Sequence, residues 1–87
     1  MYIETIESYA FMNNNLTSII LPDSLVTIEK DAFSFSQLTS LTIGNSVTTI
    51  GNRAFMDNPI MTLSLGDSIT TIGESAFSQT GITEVTL

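Results

Sequence analysis

The dipeptide Ala-Phe occurs four times, as Ala10-Phe11, Ala32-Phe33, Ala54-Phe55 and Ala76-Phe77, always 22 residues apart. This interval constrains the fold more than composition does. A unit that short cannot bury its own apolar face and must bury it against the next copy. Five further positions keep the same step. Isoleucine precedes each Ala by four residues (Ile6, Ile28, Ile50, Ile72), and another aliphatic lies three before that (Ile3, Leu25, Val47, Ile69). After each Phe come four variable residues and a second apolar cluster: Leu16, Ile19, Leu21; Leu38, Leu41, Ile43; Ile60, Leu63, Leu65; Ile82, Val85, Leu87. The chain thus reads as one repeat domain, 1–87, with a partial unit 1–15, full units 16–37, 38–59 and 60–81, and a partial unit 82–87.

Within Leu38-Thr39-Ser40-Leu41-Thr42-Ile43 the aliphatic residues Leu41 and Ile43 point inward while Ser40 and Thr42 face out, the alternation of a half-buried strand. Turn chemistry follows at Pro22-Asp23-Ser24, Gly44-Asn45-Ser46 and Gly66-Asp67-Ser68. A second short extended piece then brings Val47 and Ile50 inward. Gly51 and Gly73 are expected to allow a tight bend before a 3₁₀-type turn that buries Ala and Phe. An L-x-x-L-x-L pattern in a period of roughly 20 to 29 residues marks a leucine-rich repeat. The spacing therefore predicts a β-rich leucine-rich-repeat solenoid. It places a parallel β-sheet on the concave side, short strands and 3₁₀ turns on the convex side, and no long helices. Stacked coils put identical positions roughly 4.8 Å apart, with the phenylalanines forming a column.

Composition removes most chemistries. Nine acidic residues against Lys30 and Arg53 give a net charge of −7, which disfavours nucleic acid and anionic membrane surfaces. Without cysteine there is no disulfide or thiolate metal site, and without histidine the commonest general base and metal ligand are missing. The remaining nucleophiles are hydroxyls, 13 Thr and 11 Ser, and nothing in the spacing builds a pocket that would desolvate Lys30 beside a serine. No enzyme, cofactor or metal is expected. No apolar run reaches the ~18 residues of a membrane span, and the segment from Met1 to Phe11, with Glu4 and Glu7, does not read as a signal peptide.

The unit resembles the BspA-like leucine-rich repeat, whose pattern is roughly LTSITIPxSVTSIGxxAFxxC. The matching residues are Leu38 to Ile43, Ser46-Val47-Thr48-Thr49-Ile50-Gly51 and Ala54-Phe55, with the proline kept at Pro22. Where that pattern often carries Cys after the Ala-Phe pair, this chain has Asn14, Ser36, Asn58 and Thr80, and Gly44 and Gly66 replace the proline. The resemblance implies an extracellular or cell-surface protein that adheres to or binds other proteins, without catalysis.

Two outward ladders on the concave face are the candidate partner site: Ser18, Ser40, Thr62, Glu84 and Ile20, Thr42, Ser64, Thr86. Extended solenoids offer such a face by construction, although a solvated sheet also carries hydroxyls and no Trp, Tyr or Arg lies on this one. A further column, Thr5, Thr27, Thr49 and Thr71, has Val26, Thr48 and Thr70 beside it, which makes ice binding a remote third function; local hydroxyl bonding to the backbone explains the same residues. Asp23, Asn45 and Asp67 read as turn formers rather than calcium ligands. Glu7 over Glu29 is an unfavourable pair that Lys30 is placed to relieve, and Asn15-Leu16-Thr17 is a weak glycosylation sequon.

No unit has the polar outer face of a cap, so Ile3, Ile6 and Phe11 at one end and Val85 and Leu87 at the other are candidate self-association edges. Leu87 fills the slot of Leu21 and Met1 that of Asp23. Two arrangements fit: a piece of a longer adhesin, or a protomer that stacks head to tail.

Overall fold

In the computed structural model, which describes residues 3–86, the chain winds through four coils and contains no helix among the described residues. Each Thr-Ile pair of the return segment forms a two-residue strand: β1 (Thr5–Ile6), β2 (Thr27–Ile28), β4 (Thr49–Ile50) and β6 (Thr71–Ile72). They pair in parallel in the order β1-β2-β4-β6, with Thr5, Thr27, Thr49 and Thr71 in register. The main strands β3 (Ser40–Thr42), β5 (Thr62–Ser64) and β7 (Glu84–Thr86) form a second parallel sheet, again one repeat apart. The β-rich solenoid read from the spacing is the observed fold. Strands are this short because alternation lasts only until turn residues interrupt it.

The two sheets share one core. Leu25, Ile28, Phe33, Leu38, Val47, Ile50, Phe55 and Ile60 are fully enclosed. Phe11, Phe33, Phe55 and Phe77 stack with centroids 5.2, 5.2 and 5.5 Å apart and planes within 9° of parallel, as the predicted column requires. A centroid step well above ring thickness means tilted, offset rings, the arrangement their quadrupoles favour. Burial is deepest in the middle coils: Phe33 and Phe55 are 0% exposed but Phe11 is 37%, and Ile50 is 0% but Ile72 is 46%. Each coil is stabilised chiefly by its two neighbours, so a coil with one neighbour keeps half its cover.

The Ala-Phe corner differs from expectation. Instead of one 3₁₀-type turn, each coil makes two successive i→i+3 turns, as in Ala32 N to Glu29 O (3.2 Å) and Ser34 N to Asp31 O (3.4 Å). The intervening amides point along the solenoid: Asp31, Phe33 and Phe35 donate to Asn52, Ala54 and Met56 of the next coil at 3.0, 2.8 and 2.9 Å. Sending alternate amides in these two directions requires left-handed residues at two positions per coil. Tyr9, Asp31, Arg53 and Ser75 form one such column, and Asn13, Phe35, Asp57 and Gln79 the other, with φ between 54° and 64°. Gly51 and Gly73 do not supply the bend, since neither has positive φ. They are needed for close approach: a Cβ at Gly51 would lie 2.6 Å from Lys30 N, and one at Gly73 would lie 2.5 Å from Asn52 N.

Candidate functional site

The outer face of β3, β5 and β7 presents Ser40, Thr62 and Glu84 in one row and Thr42, Ser64 and Thr86 in the next, fixed by the strand register. An open trough of about 480 Å³ lies over them, lined also by Leu41, Leu63, Val85 and Thr83. Glu84 is its one charged residue. The hydroxyls offer donors and acceptors at a spacing set by backbone pairing, a surface suited to hydrogen bonding an extended partner. No group of three metal-ligating side chains occurs among the described residues.

Ser18 and Ile20 do not join this array. The first coil pairs with the second through Gln37 N to Leu16 O and Thr39 N to Thr17 O (3.0 and 3.2 Å), and the pairing stops there. Residues 18–20 form no strand, and Ile20 is 96% exposed. An end coil pairs on one side only, so opening its last bonds costs little. A Cβ at Gly44 would meet nothing within 4 Å, whereas Gly66 packs tightly on Gly44, which marks where close stacking begins.

Of the predicted edge residues, Ile3, Phe11 and Val85 are 40%, 37% and 52% exposed. Ile6 is not an exposed edge: its side chain turns into the core and only 8% remains accessible. Leu87 lies outside the described residues.

The convex threonine column is in register, but neighbouring hydroxyls bond the backbone, as in Thr70 Oγ1 to Thr48 O (3.2 Å). In the Asx column, Asp67 N donates to Asn45 Oδ1 at 3.3 Å, a turn-to-turn bond. Glu29 is held by Ser8, whose amide and hydroxyl donate to its Oε1 at 3.1 and 3.3 Å. Lys30 instead places its Nζ 5.6 Å from the Tyr9 ring centroid.

Several polar residues that hold the coils together escaped the sequence reading. Asn58, buried at 1%, donates from Nδ2 to Phe33 O (2.8 Å), Phe55 O (3.0 Å) and Met56 O (3.3 Å), and its Oδ1 accepts from Leu38 N (3.1 Å). Ser36 and Thr80, in the same column, donate to Phe11 O and Phe77 O. The signal was present: every residue of that column can bond backbone, though spacing alone does not say that it points inward. Asp31, with its side chain 6% exposed, receives Arg53 Nη2 at 3.0 Å and Nε at 3.2 and 3.4 Å, together with Ser34 Oγ at 3.2 Å. Hydrogen bonding to Asp31, then its charge, raises the Arg53 pKa above its ordinary value against a small opposing desolvation. Opposite charges one repeat apart were the cue.

A family model described as BspA type leucine rich repeat region matches residues 3–87 in 6 copies. No curated protein and no solved structure matches the chain.

Proposed function

The chain belongs to the BspA-type leucine-rich-repeat family, and from that premise we propose that it is a non-catalytic protein-binding module of a cell-surface or secreted protein, holding its partner on the β3–β5–β7 face. The observation that carries this reading is the hydroxyl-lined trough, whose rows are held in register by backbone pairing instead of by flexible loops. A partner strand laid across it meets a preordered surface, which reduces the ordering cost of binding. No helix among the described residues is long and apolar enough to cross a membrane. The test is biolayer interferometry of the chain against a panel of purified extracellular-matrix proteins, repeated with the double variant Thr62→Lys, Ser64→Lys. Binding that falls by about tenfold in a variant with an unchanged circular-dichroism spectrum supports the trough. A partner held equally well by both chains removes it.

A second reading, head-to-tail self-association, is favoured by a specific observation: the outermost described coils expose members of the core columns, Phe11 and Ile3 on one and Ile72 and Val85 on the other. Light scattering across a concentration series tests it, and a monomeric mass at millimolar chain sinks it.

A further inference from the structure

Only two cations stand among the nine acids of this chain, and both sit on the same corner of the solenoid. Tyr9, Asp31 and Arg53 form one left-handed column, with Lys30 beside it and its ammonium over the Tyr9 ring. A left-handed backbone is strained for large side chains and easiest for Gly, Asn and Asp. Asp31 fits that preference, but Tyr9 and Arg53 do not. Tyr9 is nevertheless 50% exposed and the Arg53 side chain 41% exposed, so neither is there to fill the core. The left-handed backbone belongs to the turn pattern of every coil, so what distinguishes this corner is its side chains: Tyr and Arg are among the residue types enriched at binding hot spots. Arg53 is also preorganised. Asp31 fixes its Nε and Nη2, and Nη1 makes no hydrogen bond among the described residues. Lys30 likewise contacts an aromatic face and no described carboxylate.

We propose that Tyr9, Lys30 and Arg53, none of which lines the hydroxyl trough, form a second contact site that takes a carboxylate side chain of a protein partner, with the Tyr9 ring packing against that residue's neighbour. This rests on the binding-module reading and adds a surface to it. The local acids set its limits: Asp31 is consumed by Arg53 and Ser34, and Glu29 by Ser8, while Glu74, whose charge acts on Arg53, selects against a densely charged ligand. The site therefore suits one or two carboxylates flanked by apolar residues.

The experiment is ¹⁵N and side-chain NMR titration of the chain with the capped peptide acetyl-Leu-Glu-Phe-Asp-Leu-amide. Its Gln/Asn analogue and sodium sulfate serve as parallel probes, the latter separating carboxylate recognition from general anion binding. Saturable shifts at Tyr9, Lys30 and Arg53 are expected with the acidic peptide, weak or absent with the analogue and with sulfate. Lys30→Gln, which removes no partner from a buried group, should weaken binding about threefold, the scale of one exposed ion pair. Tyr9→Leu should weaken it further while leaving the β3–β5–β7 resonances in place. Equal affinity for the acidic and neutral peptides, or no loss in Lys30→Gln, overturns the site. Equal shifts with sulfate overturn its selectivity for carboxylate. Shifts confined to Thr62, Ser64 and Thr86 overturn it while leaving the trough reading standing, and matrix-protein binding unchanged in the trough variant, with the Tyr9, Lys30 and Arg53 shifts intact, does the reverse.

Discussion

Replacing Asn58 by alanine should cost this protein a large part of its stability. The side chain is 1% exposed and serves three buried backbone groups that have no other partner among the described residues: Phe33 O, Phe55 O and Leu38 N. Each orphaned group costs about 1–3 kcal/mol, and water entering the vacated space recovers part of that, so we take about 1 kcal/mol each and about 3 kcal/mol in total. A domain of this length has roughly 4–13 kcal/mol available, so the loss is between a quarter and most of it. In thermal melts it corresponds to a fall of about 12–24 °C. Asn58→Cys, bringing in the residue that the family pattern often carries here, keeps only a weak donor and should recover only a minor part. Urea denaturation followed by circular dichroism gives the energy, and amide exchange at Leu38 gives the local consequence. An Asn58→Ala chain within about 0.5 kcal/mol of the parent, with Leu38 as protected as before, would refute the backbone accounting.

Three further outcomes follow from the stacking geometry. Gly73→Ala should destabilise by about 1–3 kcal/mol, because its Cβ meets the Asn52 backbone; Gly44→Ala, with open space around it, should be neutral or stabilising by up to about 1 kcal/mol. Equal effects at the two sites in parallel melts would contradict the close-approach argument. Gln79→Gly should stabilise by about 0.5 kcal/mol, since φ is 58° there and the relief of left-handed strain slightly exceeds glycine's entropic cost; a measurable loss in urea midpoint would count against it. Phe55→Ala should cost about 3–5 kcal/mol and Phe11→Ala markedly less, because Phe55 is enclosed between two rings while Phe11 has one ring partner and is 37% exposed; equal losses by chemical denaturation would remove the nearest-neighbour picture of this core.

The step of 22 residues by itself determined the number of coils, the parallel register and the residues that fill the core, because in a stack each inward position must match the one above and below it. Ile28, Phe33, Leu38 and Ile50 could be named as interior from spacing alone, and the outward rows Ser40, Thr62, Glu84 and Thr42, Ser64, Thr86 followed from the alternation of strands. What spacing does not encode is where backbone amides go when the strand ends. The left-handed pairs at the Ala-Phe corners, the inward turn of Asn58 and the parting of residues 18–20 from β3 all depend on hydrogen bonds between coils, or on their absence. The clustering of Tyr9, Lys30 and Arg53 has the same origin: residues from three successive coils become neighbours only once the stack sets them about one strand spacing apart. Periodicity is a property of single positions along the chain and is legible there. Satisfaction of a buried polar group is a property of pairs of coils, and only the tertiary structure decides it.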